Sequence, residues 1–94
     1  MGYYINPPDG RRHQKGEWLV DTYGAKEVSV DHAYDIVTNG GDKGIVCVVD
    51  NGMFEAAGYC YDRNEYMVFA DRNDMRPKRW YCMDRTTIEE LSNY

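Results

Sequence analysis

The two histidines of the chain are its first candidates for acid–base chemistry. Catalysis by histidine needs a nucleophile or a carboxylate held beside it in a defined geometry. His13 lies in a basic, turn-rich segment, where exposure to solvent is expected, and His32 lies at a predicted helix start, where a capping or surface role is favoured. The turn at residues 50–52 offers a carboxylate, but Asp-Asn-Gly is typical of a tight hairpin. We therefore expect no catalytic residue and a protein that is not an enzyme.

Cysteine chemistry and phosphate binding are the next possibilities. The chain has an odd number of cysteines, and no two of them form a Cys-x-x-Cys pair. Each of the three lies in an apolar or aromatic run: Cys47, Cys60 and Cys82. We expect free, reduced thiols packed in the core, and a zinc site would need further ligands at a spacing that the histidines do not provide. The glycine-rich segment 40–44 follows a predicted helix and precedes a strand, the reverse of a phosphate-binding loop. We expect neither a metal nor a cofactor.

Carboxylates are the commonest charged groups of the chain. The formal net charge is −5, from 16 acidic and 11 basic residues. This charge argues against a general nucleic-acid binder, because neutralisation of phosphates supplies most of such affinity, and it favours a basic protein partner. The candidate partner-binding residues are two carboxylates four positions apart on a predicted helix and two in a charged loop: Asp31, Asp35, Asp71 and Asp74.

A second reading uses the basic residues. Residues 76–79, Arg-Pro-Lys-Arg, precede Trp80 and Tyr81, and basic residues beside aromatic ones are typical of proteins that bind single strands. The same segment could instead be a loop that pairs with Asp71 and Asp74 and leads two aromatic residues into the sheet. The alternative function is therefore a small nucleic-acid-binding regulator that uses a patch formed by Arg11, Arg12, Arg76, Lys78 and Arg79.

The elements that position these residues follow from apolar spacing and turn residues. An extended arm with two prolines occupies residues 1–13, and no repeat or linker divides the single domain 1–94. The expected elements are a helix over 17–23 that ends at Gly24, a helix from Ser29 or Asp31 to 39–41, a buried strand over 44–49, a hairpin partner over 53–61 with a bulge or close contact near 56–58, a helix over 62–70, a strand over 79–83, and a terminal helix with a capping box at 86–89. Residues 66–69 could also form a strand.

These elements have the order α-α-β-β-α-β-α and predict an α+β fold. We expect a small antiparallel sheet of about three strands with short helices packed mainly on one face. The predicted core consists of Leu19, Ile36, Val46, Val48, Phe69 and Trp80. The first six residues have neither the basic nor the apolar part of a signal peptide, and no run approaches the roughly 20 apolar residues of a membrane span, so we expect a cytoplasmic protein.

Four blocks of sequence together resemble a group of small proteins carried by bacteriophages and plasmids. They are residues 3–9, residues 17–19 with Gly24, residues 48–57 and residues 76–81. The resemblance implies an accessory gene of a mobile element, and such genes often encode inhibitors of host defence, including anti-CRISPR proteins. It implies a non-enzymatic protein that binds and inhibits a host protein or protein complex. The candidate targets include a host protein that handles nucleic acid. The resemblance leaves the oligomeric state open.

Overall fold

The computed structural model describes residues 4–5, 15–50, 55–71 and 73–92. This part of the chain contains four helices and five strands. In chain order they are β1 (Tyr4–Ile5), α1 (Lys15–Tyr23), β2 (Lys26–Val28), α2 (Val30–Asn39), β3 (Lys43–Asp50), β4 (Glu55–Cys60), α3 (Arg63–Phe69), β5 (Lys78–Asp84) and α4 (Arg85–Ser92). The predicted arm at residues 1–13 and the Asn51-Gly52 turn lie outside the described residues, apart from β1.

The strands form one antiparallel sheet in the order β1-β4-β3-β5-β2. The predicted α+β class is therefore confirmed, and the strand at 44–49 is the central one, since Ile45 pairs with Cys60 on one side and with Cys82 on the other. Between Ile45 and Asp50 the pairing of β3 with β4 is continuous. Of the two features expected at 56–58, a bulge or a close backbone contact, the bulge is therefore not found in this pairing.

The sheet has more strands than the expected three. The two additional strands, β1 and β2, are at its two edges, and they contain two and three residues. Lys26 and Glu27 begin β2, and both are exposed. Short, charged strands are common at sheet edges because they discourage pairing with other chains, and they lack the alternating apolar pattern by which strands are recognised.

The helices cover both faces of the sheet, so the expectation of one covered face was wrong. On one face α1 and α4 bury an apolar cluster that includes Leu19, Val46, Val48, Ile88 and Leu91. On the other face α2 and α3 bury a cluster that includes Ala33, Val37, Cys47, Tyr66 and Trp80. The physical reason lies in β3, whose uninterrupted apolar run from Ile45 to Val49 is buried along its whole length. A strand that is apolar at consecutive positions needs a cover on both sides.

The predicted core is largely confirmed. Leu19, Val46, Val48 and Trp80 are buried. Ile36 and Phe69 are half-buried at the margin of the cluster under α2 and α3.

The ends of α1 and α2 follow their local sequence. The Ser29 side chain accepts a hydrogen bond from the His32 amide at 3.1 Å and begins α2. Gly24, after α1, and Gly41, after α2, have φ of 67° and 63°. Glycine adopts this left-handed conformation without the steric cost that a Cβ imposes, so both helices end where glycine permits the chain to reverse.

Residues 66–69 are helical, which resolves the choice between helix and strand. The Asp62 carboxylate accepts a hydrogen bond from the Glu65 amide at 2.9 Å, and the Glu65 carboxylate accepts one from the Tyr61 amide at 3.1 Å. Helix α4 begins at Arg85, earlier than expected, so Thr86 and Thr87 lie inside it and do not cap it. Among the described residues, no helix is both long and apolar enough to span a membrane.

Candidate protein-binding surface

Helix α2 carries two of the four predicted partner-binding carboxylates. Asp31 and Asp35 are both exposed, one turn apart, and form no ion pair with another described residue. The helix contains no lysine or arginine that could neutralise them. The prediction that both carboxylates lie on the outer side of a helix is confirmed.

The other two carboxylates have different surroundings. Asp71 is exposed, and its side chain accepts a hydrogen bond from the Asn73 amide at 2.9 Å. Asp74 receives two hydrogen bonds from the Arg76 guanidinium, at 2.9 and 2.7 Å, and Lys78 Nζ lies 3.7 Å from the same carboxylate. The hydrogen bonds from Arg76 hold the pKa of Asp74 well below its usual range. Asp74 thus belongs to an internal ion pair rather than to an open acidic surface.

The same contacts occupy much of the proposed basic patch. Arg76 and Lys78 both point to Asp74, and Lys78 also donates to the carbonyls of Asp74 and Arg76 at 3.0 and 3.3 Å. Arg79 lies half-buried in β5, opposite Val48. The remaining candidates, Arg11 and Arg12, lie outside the described residues. Of the two readings of this segment, the loop that pairs with a nearby aspartate is confirmed for Asp74.

The structure adds apolar side chains that the sequence reasoning did not select. Val30 at the start of α2 is 45% exposed, and Met67 and Val68 on α3 are 58% and 65% exposed. Helical spacing identified the inward positions of α3, which include Tyr66 and Phe69. The sequence position of Met67 and Val68 between those inward residues could have identified them as outward-facing. Apolar side chains on the outer side of a helix are not buried in the core and so do not stabilise the fold.

Helix α3 lies beside the first turn of α2. The Tyr66 hydroxyl donates a hydrogen bond to the Val30 carbonyl at 3.0 Å, and the rings of Tyr34 and Tyr66 meet edge to face with centroids 5.5 Å apart. Burial raises the pKa of Tyr66, and the charge of Asp31 adds to this effect. We define the α2–α3 surface as five exposed side chains on these two adjoining helices: Val30, Asp31, Asp35, Met67 and Val68.

The cysteines are unsuited to nucleophilic chemistry. All three lie in described strands and are free thiols, with Cys47 and Cys60 buried and Cys82 half-buried. Burial raises the pKa of Cys47 to about 12 and raises that of Cys60 strongly. Cys47 and Cys60 therefore remain protonated near neutral pH and act as small apolar groups. The prediction of free thiols is confirmed for all three cysteines, whereas the prediction of a core position holds for Cys47 and Cys60 and not for Cys82, which lies at the margin of the cluster.

A second polar cluster lies where β5 meets α4. Arg85 donates to the carbonyls of Lys43 and Tyr61 at 3.1 and 3.0 Å, and its guanidinium lies 4.8 Å from the centre of the Tyr61 ring. Lys43 forms an ion pair with Asp84. Burial raises the pKa of Tyr61 to about 12, so the phenol stays neutral. These contacts satisfy backbone carbonyls at the end of the sheet and have a structural role.

Within the described ranges, no group of three or more histidine, cysteine, aspartate and glutamate side chains could hold a metal ion. Comparison of the chain with protein-family models, with curated protein sequences and with solved structures gave no match. The resemblance to proteins of bacteriophages and plasmids therefore stays a hypothesis.

Proposed function

We propose that this chain is a non-enzymatic protein-binding domain that inhibits a host protein complex by occupying one of its surfaces, as anti-CRISPR proteins do. The α2–α3 surface makes the contact. The observation that carries this proposal is the combination of exposed Val30, Met67 and Val68 with two carboxylates that have no described ion-pair partner.

The apolar part of the surface supplies affinity. Single exposed apolar side chains are ordinary, but here two neighbours lie on one short helix, and Tyr66 of that helix bonds to the carbonyl of a third exposed apolar residue, Val30. Complete burial of a valine or methionine side chain is worth about 1.5–3 kcal/mol. Methionine also adapts its shape to an irregular partner because it is unbranched.

The carboxylates select the partner. Asp31 and Asp35 favour a surface that presents lysine and arginine, which form charge-assisted hydrogen bonds with carboxylates and accelerate association. A second copy of this chain would place carboxylates against carboxylates, so the charge disfavours self-association through this surface. Proteins that handle nucleic acids present cations in this way, and one of these is our favoured partner.

Selection from a displayed library of random linear peptides tests the contact. We expect the immobilised chain to enrich peptides that combine lysine or arginine with large apolar residues. Met67→Ser with Val68→Ser, and separately Asp31→Lys with Asp35→Lys, should each weaken the best peptide by at least about tenfold, because central interface residues dominate affinity. Higher salt should slow association, since screening weakens electrostatic steering.

Matched control variants lie on the opposite face of the domain. Val20→Ser removes an apolar side chain of α1 that is 41% exposed, and Asp21→Lys with Glu90→Lys reverses two exposed carboxylates on α1 and α4. Peptide binding that responds equally to the controls, or a library that yields no binder, contradicts the proposed surface. Inhibition is then measured on the protein that co-purifies from a bacterial lysate with the wild-type chain and not with the surface variants.

The alternative is nucleic-acid binding through Arg76, Lys78 and Arg79. The engagement of Arg76 and Lys78 by Asp74 weakens this reading, because phosphates would compete with an existing ion pair. Mobility shift assays with DNA and RNA at low salt separate the two functions. We expect no shift for the wild-type chain, and a shift that Arg76→Glu with Arg79→Glu abolishes supports the alternative.

A further inference from the structure

Arg63 is an exposed cation at the start of α3 that forms no ion pair with another described residue. The carboxylates nearest to it in sequence are bonded to backbone amides. Asp62 accepts from the Glu65 amide at 2.9 Å, and Glu65 accepts from the Tyr61 amide at 3.1 Å. The guanidinium therefore stays without a carboxylate partner although acidic residues lie beside it in the chain.

The Arg63 guanidinium reaches across to α2. One of its terminal nitrogens donates a long hydrogen bond to the Tyr34 hydroxyl oxygen at 3.5 Å, and it forms no other hydrogen bond with a described residue. Most of its five N–H groups are therefore open to solvent. Because the Tyr34 oxygen accepts from Arg63, the Tyr34 O–H is left to donate.

Aromatic packing holds the Tyr34 hydroxyl in place. The half-buried Tyr34 ring meets the Tyr66 ring edge to face, with centroids 5.5 Å apart, and Tyr66 in turn packs against Trp80 at 5.0 Å. A ring that is already held by its neighbours loses little conformational freedom when its hydroxyl binds a ligand. Tyr34 is thus a fixed donor beside an unpaired cation.

The pair formed by Arg63 and Tyr34 adjoins both parts of the α2–α3 surface. Tyr34 lies three positions after Asp31 on α2, and Arg63 lies four positions before Met67 on α3. Side chains three or four positions apart are neighbours on the surface of a helix. The contact between Arg63 and Tyr34 therefore places two hydrogen-bond donors next to the acidic side of α2 and the apolar side of α3.

We infer that Arg63 and Tyr34 together bind a carboxylate of the partner protein. This inference rests on the proposed function and deepens it, because it assigns the partner an acidic side chain in addition to the cations that face Asp31 and Asp35. The partner carboxylate accepts from the guanidinium and from the Tyr34 hydroxyl. Hydrogen bonds of this kind, between an ionised donor and an ionised acceptor, are among the strongest in proteins.

A nucleic-acid phosphate is a poorer occupant of the same place. Each strand carries a row of negative charges, and Asp31, Asp35 and Asp62 on the two helices would repel that row. A single carboxylate on a protein avoids this repulsion when lysine or arginine residues flank it, because those cations face the aspartates. The charges of the surface therefore favour a partner segment that bears both signs.

The library selection with the wild-type chain supplies the probe. We expect the best peptides to carry an aspartate or glutamate at a constant spacing from their lysine or arginine. Arg63→Gln should weaken the best peptide by about tenfold, and Tyr34→Phe, which keeps the ring, should weaken it several-fold. The control is Lys26→Gln, which removes another exposed cation without a described ion pair, on edge strand β2, and should leave binding unchanged.

A double-mutant cycle identifies the contact. Replacement of the acidic residue of the peptide by its amide should cost about tenfold with the wild-type chain and almost nothing with Arg63→Gln, because the bond is then already absent. Each comparison of the two peptides uses one chain, so a partial loss of folded protein cancels from it.

The outcomes separate this inference from the proposed function. If the enriched peptides carry no acidic residue, or if the amide costs the same with both chains, the inference is wrong. Weaker binding by Met67→Ser with Val68→Ser and by Asp31→Lys with Asp35→Lys then still supports the α2–α3 surface. If these variants and Arg63→Gln all bind like the wild type, both proposals are wrong.

Discussion

The Tyr66 hydroxyl donates to the Val30 carbonyl at 3.0 Å and so connects the short helix α3 to the first turn of α2. A helix of 7 residues is too short to be stable in isolation, so this hydrogen bond and the packing of the Tyr66 ring against Trp80, with centroids 5.0 Å apart, hold α3 in place. Tyr66 is thus one of the residues that position α3 beside α2.

Tyr66→Phe should therefore keep the fold but loosen α3. Loss of one hydrogen bond from a buried tyrosine should lower the free energy of unfolding by about 1 kcal/mol, measured by urea denaturation. Hydrogen exchange at the amides of α3 should accelerate more than exchange in β3. Equal acceleration throughout the domain would show that Tyr66 does not act locally on α3.

Val48→Asp should abolish folding. Val48 is 2% exposed in the central strand, and burial of a carboxylate without a partner is severely unfavourable. Circular dichroism should show loss of structure, whereas Val20→Asp on the exposed side of α1 should change stability by no more than about 0.5 kcal/mol. A folded Val48→Asp protein with an unchanged melting temperature is incompatible with the position of β3.

Gly44→Ala should destabilise the domain by about 1–3 kcal/mol through overpacking. A Cβ at Gly44 would lie 2.9 Å from Ile88 Cδ1 and 3.0 Å from the Tyr61 ring. Ile88 is fully buried, so its side chain has little room to move. Differential scanning calorimetry measures the loss.

A second substitution identifies the contact responsible. Ile88→Val removes the Cδ1 atom, so the double variant Gly44→Ala with Ile88→Val should lose less stability than the sum of the two single variants. If the losses in the free energy of unfolding were simply additive, residues 44 and 88 would not be in steric contact in the Gly44→Ala variant.

The sequence predicted the central features of the fold because they depend on local chemistry. The apolar run of β3, the serine before α2 and the glycines after α1 and α2 each specify a conformation within a few residues. The charged edge strand β2 could not be found in this way, since its partner Tyr81 lies more than fifty positions away. The packing of helices on the second face of the sheet was not predicted either, although an apolar run at Ile45–Val49 implies that both faces are covered.

The candidate surface was half predictable. Asp31 and Asp35 were placed correctly on the outer side of a helix, because spacing alone defines that side. The ion pair of Asp74 with Arg76 depends on how the loop between α3 and β5 turns. Met67 and Val68 become significant only once α3 is known to lie beside the first turn of α2. Such relationships come from tertiary structure rather than from spacing.

The last prediction concerns the response to acid of the ion pair between Asp74 and Arg76, which lies in the loop between α3 and β5. The pKa of Asp74 is lower in the folded protein than its ordinary value, chiefly because of the hydrogen bonds from Arg76. A carboxyl group with a lowered folded pKa contributes stability that is present above its unfolded pKa of about 3.9 and is lost as the pH falls towards its folded pKa. The loop should therefore stay fixed from neutral pH down to about pH 4.

The chemical shift of the Arg76 amide, measured by nuclear magnetic resonance as the pH is lowered, reports on the titration of the Asp74 carboxyl. Arg76→Gln should raise the titration midpoint of that carboxyl towards the ordinary value. An Asp74 carboxyl that titrates at the same pH in both proteins would mean that Arg76 does not hold the loop in solution.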